Sequence, residues 1–111
     1  MQFKRVVVTG LGAITPIGNT TDEFWNSLLA GKSGAGIITH FDPEKFKTRF
    51  ACEVKNFDPT QYMDRKEARK LDLFAQYAMA SAEEAVRDAR LTEESLDKDR
   101  IGVIYGSGIG G

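Results

Sequence analysis

The feature that most constrains the fold is a long helical pattern in the second half of the chain. Asp64 is a typical N-cap and Glu67 lies three residues later, the spacing of a capping box. Apolar residues then recur at steps of three and four: Leu71, Phe74, Ala75, Ala78, Ala82, Ala85, Val86 and Ala89. This pattern predicts one continuous helix with a single apolar face. It would be about 39 Å long, against a radius of gyration near 13 Å for a compact small domain. We therefore expect it to pack against another part of a larger molecule or a partner subunit.

Three strands are predicted around this helix, at residues 4–9, 48–55 and 100–105. The second strand alternates, with Phe50, Cys52 and Val54 on one face, and that face is expected to be buried. The third lacks polar alternation, as in a strand covered on both faces. Strands separated by helices predict an α/β fold with a parallel sheet. So few residues cannot cover both faces of such a sheet, so we expect the chain to be an N-terminal piece of a larger protein.

The first half of the chain predicts a shorter helix between two turn regions. Thr20 and Glu23 have the capping-box spacing, and Gly31 is suited to end the helix. Pro16 and Gly18 mark a turn before it, and a loop is expected from Gly31 to Arg49. Phe-Asp-Pro occurs at residues 41–43 and 57–59, and both copies predict turns because proline disfavours a helical conformation in the preceding residue.

Composition excludes several functions. The 111 residues carry 15 basic and 16 acidic side chains, a net charge of −1, so no basic field favours nucleic acid or a membrane surface. No apolar run could span a bilayer, and the amino-terminal residues do not match a secretory signal. Cys52 is the only cysteine and His40 the only histidine, so a metal site is not expected. Cys52 is interpreted as an inert core residue, and the cytoplasm as the compartment.

Two local motifs have less certain meanings. Residues 106–111 fit the dinucleotide pattern G-x-G-x-x-G, but neither the required helix nor the acidic residue follows within the chain. Residues 65–70 contain four cations and one anion in the first turns of the predicted helix, where cations oppose the macrodipole. Such a run is commonly just a solvated surface, but its position favours a binding patch for an acidic partner or a phosphate.

Four blocks in order resemble the β-ketoacyl-[acyl-carrier-protein] synthases, and among them the synthase II group of bacterial type II fatty acid synthesis. The first block is Arg-Val-Val-Val-Thr-Gly-Leu-Gly at residues 5–12 with Thr-Pro-Ile-Gly-Asn at 15–19, and the second runs from Phe24-Trp25 to Gly34. The third is Arg-Lys-Glu-Ala-Arg-Lys-Leu-Asp at 65–72, and the fourth is Gly-Ser-Gly-Ile-Gly-Gly at 106–111. The resemblance covers essentially the whole chain.

The resemblance implies a thiolase-like α-β-α-β-α layered fold and a homodimer, with residues 1–111 forming the N-terminal segment of the first ketosynthase half. It implies a decarboxylative Claisen condensation without a cofactor. A cysteine accepts the acyl chain from the acyl carrier protein, malonyl carrier loses CO2, and the resulting carbanion attacks the acyl thioester. Two histidines assist the decarboxylation, and backbone amides stabilise the oxyanion.

None of the catalytic residues of the family matches a position in this chain, so the 111 residues alone are expected to be inactive. Two other sites carry over from the resemblance. Ile109 matches the isoleucine that gates the acyl pocket, and Gly108 is one of its flanking glycines. The basic positions that hold the acidic carrier protein match Lys66, Arg69 and Lys70, with Arg65 as a neighbouring candidate.

Two alternatives remain open from the sequence. The first is a non-catalytic ketosynthase-like subunit, such as a chain-length factor, which shares the architecture and lacks the nucleophile. The second is an independent α/β domain that binds a dinucleotide on the last glycine-rich loop. Residues downstream of Gly111 distinguish the first alternative, because a synthase has Thr-Ala-Cys followed by two histidines.

Overall fold

The computed structural model describes residues 1–111, with three helices and one small sheet. In chain order the elements are α1 (Thr21–Leu29), β1 (Ala35–Ile37), β2 (Phe50–Cys52), α2 (Arg65–Ala68) and α3 (Leu73–Asp88). Short 3-10 turns lie at Pro59–Gln61, Glu93–Ser95 and Lys98–Arg100. Most of the helical residues lie in the second half of the chain.

Helix α1 begins and ends where the sequence predicts. The Glu23 amide donates to Thr20 Oγ1 at 3.1 Å, which satisfies one of the unpaired N–H groups of the first turn. The Glu23 carboxylate accepts from the Asn19 amide at 2.7 Å, one residue earlier than in a standard capping box. Gly31 follows the helix with a φ of 64°, a left-handed conformation that glycine adopts without steric cost. The predicted capping pair is thus confirmed in position, with its reciprocal bond displaced by one residue.

The sheet differs from the predicted one. Strands β1 and β2 pair antiparallel, with Ala35 opposite Cys52 and Ile37 opposite Phe50, and β1 lies inside the region predicted as a loop. The segments at 4–9 and 100–105, predicted as strands of a parallel sheet, lie outside the sheet. A strand needs a neighbour for its backbone N–H and C=O groups, and no segment of the 111 residues pairs with either. The prediction of a parallel sheet within this chain is wrong.

The prediction of a buried core position for Cys52 is also wrong in this structure. Cys52 is exposed, and its neighbour on the same strand face, Phe50, is 64% exposed. Ile37 pairs with Phe50 on that face and is 69% exposed. The alternation along β2 is real, but no layer covers the apolar face that it creates.

The long helix is interrupted. Helix α2 ends at Ala68, Asp72 has extended dihedral angles of −65° and 159°, and α3 begins at Leu73. The side-chain amide of Gln76 donates to the carbonyls of Ala68 and Leu71, at 2.8 and 3.0 Å, and so satisfies groups that the break would leave unpaired. Helix α3 has 16 residues, about 24 Å at the usual rise.

The caps of the two helices differ from the prediction. Neither Asp64 nor Asp72 makes a side-chain capping bond, although both occupy N-cap positions. Glu67, expected to complete a capping box with Asp64, pairs instead with Lys70 at 2.8 Å. The predicted single helix with one capping box is therefore replaced by two uncapped helices joined by a short turn.

Few side chains are buried. Ala68, Ala80 and Ser27 are the only buried residues, and Ala80 does not belong to the predicted apolar face. The Cα radius of gyration is 17.3 Å, with extents of 57 × 37 × 28 Å, whereas a compact domain of this length would be near 13 Å. The large exposed apolar side chains include Val6, Val8, Val103, Ile104 and Ile109. The apolar segments of the chain are thus displayed on its surface.

Candidate functional site

Four cations form what we call the basic corner, consisting of Arg65, Lys66, Arg69 and Lys70. All four are exposed on α2 and the turn that follows it. Lys70 pairs with Glu67, and both side chains are more than half exposed, so this pair contributes little to stability. The other three have no carboxylate within 4.0 Å. The corner therefore presents cations that are free to meet an acidic surface.

The break in the helix changes the electrostatic argument for this corner. Arg69 and Lys70 follow the carboxyl end of α2, where cations interact favourably with the exposed carbonyls. Only Arg65 and Lys66 lie in the first turn, and α2 has only four residues. The prediction that four cations oppose the dipole of a long helix is therefore wrong. The evidence for a binding surface is instead that these cations are exposed and that three of them have no ion-pair partner.

The last glycine-rich segment lies against the start of α3. A Cβ placed on Gly110 would be 3.3 Å from the Phe74 ring, and one on Gly111 would be 2.8 Å from Asp72 Cβ. Gly108 has nothing within 4 Å of such a Cβ, and Ile109 is 93% exposed. We call residues 106–111 the glycine loop. The loop follows no strand here, so the context required for a dinucleotide-binding fingerprint is missing.

The basic corner and the glycine loop meet at the amino-terminal end of α3. Lys70 lies two residues before Asp72, and Asp72 is the residue that Gly111 contacts. The sequence predicts the two sites separately, about forty residues apart. The chain returns along α3 and residues 89–105, and this brings the two sites to the same end of α3. No local pattern in the sequence indicates this proximity.

The first glycine-rich turn lies on the opposite part of α3. The Leu11 amide donates to Asp88 Oδ2 and the Ala13 amide to Glu84 Oε2, both at 2.9 Å. The second oxygen of Glu84 accepts from the Thr21 amide at 2.8 Å, at the start of α1. One carboxylate thus joins the turn, α1 and α3. The sequence gives a partial signal for this contact, since two carboxylates at i and i+4 share a helix face.

A polar groove lies between the turn at Pro16 and the β1–β2 hairpin. Lys55 Nζ donates to three backbone carbonyls, those of Pro16, Gly34 and Glu53, at 3.2, 2.9 and 3.1 Å. Asn19 Nδ2 donates to the Lys55 carbonyl at 2.7 Å. All three donor positions of the ammonium are occupied by the protein. Lys55 is therefore a structural residue here, and sequence reasoning did not single it out.

Three groups near the hairpin and the adjoining turn have shifted pKa values. Burial tends to raise the pKa of Glu53, but hydrogen bonds from the Thr39 hydroxyl and from the Thr39 and His40 amides outweigh it and lower the pKa overall. Hydrogen bonds from the Thr60 hydroxyl and amide lower the pKa of Asp58. Burial, followed by the Glu53 charge, raises the pKa of Tyr77. The Arg65 charge of the basic corner adds a smaller lowering to the pKa of Asp58. The lowered pKa values of Glu53 and Asp58 thus report mainly local hydrogen bonding, and the raised pKa of Tyr77 reports mainly burial.

His40 and Cys52 form no chemical site. His40 Nε2 lies 3.8 Å from Glu53 Oε1, and no group of three potential metal ligands occurs in the chain. No helix has the length and apolar character required to cross a membrane. The features that remain for function are the basic corner and the glycine loop.

Comparison with known proteins identifies relatives of this chain. Residues 3–111 match the family described as Beta-ketoacyl synthase, N-terminal domain. A 3-oxoacyl-[acyl-carrier-protein] synthase 2 from Synechocystis is 51% identical over 111 residues, which are all of this chain and 27% of that protein. The corresponding synthase 2 of Vibrio cholerae is 52% identical over the same coverage. The chain therefore spans about a quarter of the length of the curated relatives that it matches.

A solved structure has the same arrangement. The ishigamide ketosynthase/chain length factor aligns with a TM-score of 0.74 and 43% identity, over 81% of this chain and 22% of the other. Most of this chain is thus arranged like a part of a much larger protein. With the family match over nearly the whole length, this shows that the chain belongs to the β-ketoacyl synthase family and corresponds to its N-terminal domain.

Proposed function

We propose that the chain is the carrier-docking and acyl-pocket part of a 3-oxoacyl-[acyl-carrier-protein] synthase II. The observation that carries the proposal is about 50% identity to such synthases along the entire chain. In the complete enzyme, an acyl chain passes from its carrier protein to a cysteine thiolate. Malonyl carrier then loses CO2, and the carbanion attacks the acyl thioester, which releases the cysteine.

The proposal includes the setting of this chain in the complete enzyme. Residues 1–111 form the N-terminal segment of the first half of an α-β-α-β-α layered fold, in a cytoplasmic homodimer. The exposed segments at 4–9 and 100–105 then become strands, because the remaining chain supplies their hydrogen-bonding neighbours. The nucleophilic cysteine and the two histidines lie outside these residues.

The basic corner supplies the docking surface for the acyl carrier protein. Arg65, Lys66 and Arg69 are exposed and free of carboxylate partners, which suits them to an acidic protein surface. Complementary charge speeds association and orients the partner. A solved structure described as a type II PKS acyl-carrier protein in complex with its ketosynthase resembles this chain, with a TM-score of 0.61 and 31% identity over 86% of the chain.

The glycine loop supplies the edge of the acyl pocket. Ile109 projects an exposed apolar side chain, and no side chain on Gly108 obstructs the space beside it. The loop also lies at the same end of α3 as the basic corner. A carrier protein docked on the corner would therefore present its acyl chain beside the loop.

The test is a double charge reversal, Lys66→Glu with Arg69→Glu, in the complete enzyme that contains this chain. These two cations have no partner to lose, whereas Lys70 already pairs with Glu67. We expect carrier-protein binding to weaken by about ten-fold or more at low salt, and the difference from wild type to shrink as salt screens the charges. Titration calorimetry or surface plasmon resonance at two salt concentrations measures this.

The matched control is Lys45→Glu with Lys47→Glu. Both residues are exposed in the loop before β2, and the control changes the net charge by the same amount. Carrier affinity should remain near that of the wild type. Equal loss of affinity in the two double variants would show a general charge effect and contradict docking at the basic corner.

A chain-length factor is the second candidate, favoured by the structural likeness to a ketosynthase/chain length factor. The two functions differ at the residues that follow this chain. A Thr-Ala-Cys sequence with two later histidines, together with release of CO2 from malonyl carrier, supports the synthase. Carrier binding without these residues and without condensation supports the chain-length factor.

A further inference from the structure

We propose that Phe74 is a positioning residue. Its ring supports the glycine loop at Gly110 and thereby sets acyl chain-length selectivity. The inference rests on the proposed function, since it takes Ile109 to line the acyl pocket. It goes further by assigning a role to a helix residue that is not itself part of the loop. The role follows from which residues of the loop contact α3 and which have open space around them.

The loop is anchored at one end only. Cβ positions on Gly106 and Gly108 have nothing within 4 Å, whereas one on Gly110 lies 3.3 and 3.5 Å from Cε1 and Cζ of the Phe74 ring. Gly111 lies similarly close to Asp72. The first turn of α3 is thus the surface on which the loop rests. Phe74 is 38% exposed, so its ring is partly covered at this contact.

The contact between Gly110 and Phe74 lies directly beside Ile109, the residue proposed to line the acyl pocket. Ile109 directly precedes Gly110, and consecutive Cα atoms are about 3.8 Å apart, so a shift of Gly110 is passed on to Ile109. Ser107 Oγ donates to the Ile109 carbonyl at 3.0 Å and ties the two ends of the loop tip together. The tip therefore moves as a unit when its support changes, and the Ile109 side chain moves with it.

Two substitutions displace the loop in opposite directions. Phe74→Ala removes the ring and lets Gly110 settle toward α3. Gly110→Ala adds a methyl group 3.3 Å from Cε1 of the ring, a contact tight enough that we expect the loop to move away from α3 by a few tenths of an ångström. The ratio of kcat/KM for palmitoyl carrier protein to that for hexanoyl carrier protein should therefore move in opposite directions, by up to about ten-fold, the scale of hydrophobic pocket discrimination. Phe74→Leu refills most of the space and should restore the ratio toward wild type.

The control is Leu73→Ala in the same complete enzyme. Leu73 is 44% exposed and none of the glycine contacts involves it, so the ratio should stay at the wild-type value. Thermal unfolding of each variant separates selectivity from loss of structure. A general loss of stability lowers the activity toward both substrates and leaves their ratio unchanged, whereas a displaced loop changes the ratio.

Ile109→Ala distinguishes failure of the inference from failure of the proposed function. If Ile109→Ala changes the ratio while Phe74→Ala and Gly110→Ala leave it unchanged, Phe74 does not position the loop and the inference is overturned. If Ile109→Ala also leaves the ratio unchanged, the loop does not line the acyl pocket, and both the pocket assignment and the inference are overturned. Opposite shifts with rescue by Phe74→Leu support the inference.

Discussion

Gly10 and Gly12 are glycines because the backbone of α3 occupies the space where a side chain would stand. A Cβ on Gly12 would lie 2.9 Å from the Ala85 amide nitrogen, and one on Gly10 would lie 2.6 Å from that of Ala89. Both distances are far inside van der Waals contact. The atoms approached belong to the helix backbone, which cannot rotate away as a side chain can. The glycine-rich turn, which superficially suggests a phosphate-binding loop, is here a packing contact.

At this scale we predict that Gly12→Ala destabilises the protein by about 1–3 kcal/mol, the usual effect of overpacking. Gly36→Ala is the control, since nothing lies within 4 Å of a Cβ at that position and its strand β1 is already paired with β2. Removing a flexible glycine there should leave stability within about 1 kcal/mol of wild type or raise it slightly. Urea unfolding of the complete protein measures both variants. Equal midpoints for the two variants would contradict the packing explanation.

The elements show which structure can be read from local sequence. Thr20, Glu23 and Gly31 specify the start and end of α1, because capping depends on residues within one turn. The break between α2 and α3 was missed, since Arg69–Asp72 preserves the apolar spacing and the bond that stabilises the break comes from Gln76. The strands at 4–9 and 100–105 were predicted from apolar runs, but a strand depends on a distant partner. The charge run alone indicated the basic corner, and the resemblance assigned it to the carrier protein and Ile109 to the acyl pocket. The proximity of the two sites at α3 required the structure.

At the scale of elements, the prediction concerns Glu84, which joins α1 to α3. Its two oxygens accept from the Ala13 and Thr21 amides, so Glu84→Ala leaves both amides without that partner and loosens α1 from α3. We expect a loss of about 1–3 kcal/mol, the usual cost of leaving a buried hydrogen-bonding group without its partner. Glu83→Ala, at the exposed adjacent position, should have little effect. Unfolding curves of the two variants provide the comparison, and equal destabilisation would contradict the bridging role.

The whole molecule is open, and this affects what the chain can do by itself. Two buried alanines and one serine are too few to offset the conformational entropy lost on ordering 111 residues. Most of the apolar surface that belongs inside a domain is exposed in this chain. The chain also matches only about a quarter of the length of its relatives, which agrees with this incomplete burial.

We therefore predict that the 111-residue chain alone does not unfold in a cooperative transition. It should bind a dye specific for exposed apolar surface, and it should not condense acyl and malonyl carrier substrates. Circular dichroism melting, dye fluorescence and a condensation assay measure these properties, with the complete enzyme as reference. A sharp thermal transition without dye binding would show that the chain forms a core of its own.

The lysine in the polar groove also has a consequence for the order of folding. Lys55 Nζ reaches carbonyls 39 and 21 residues earlier in the chain, at Pro16 and Gly34. Closing such long loops costs entropy before the contacts can compensate, whereas the bonds of α1 span only four residues. We therefore expect the two long-range bonds of Lys55 to form late in folding, after the turn at Pro16 and the hairpin. In that order, one ammonium group would fix the relative positions of the turn and the hairpin after each has formed.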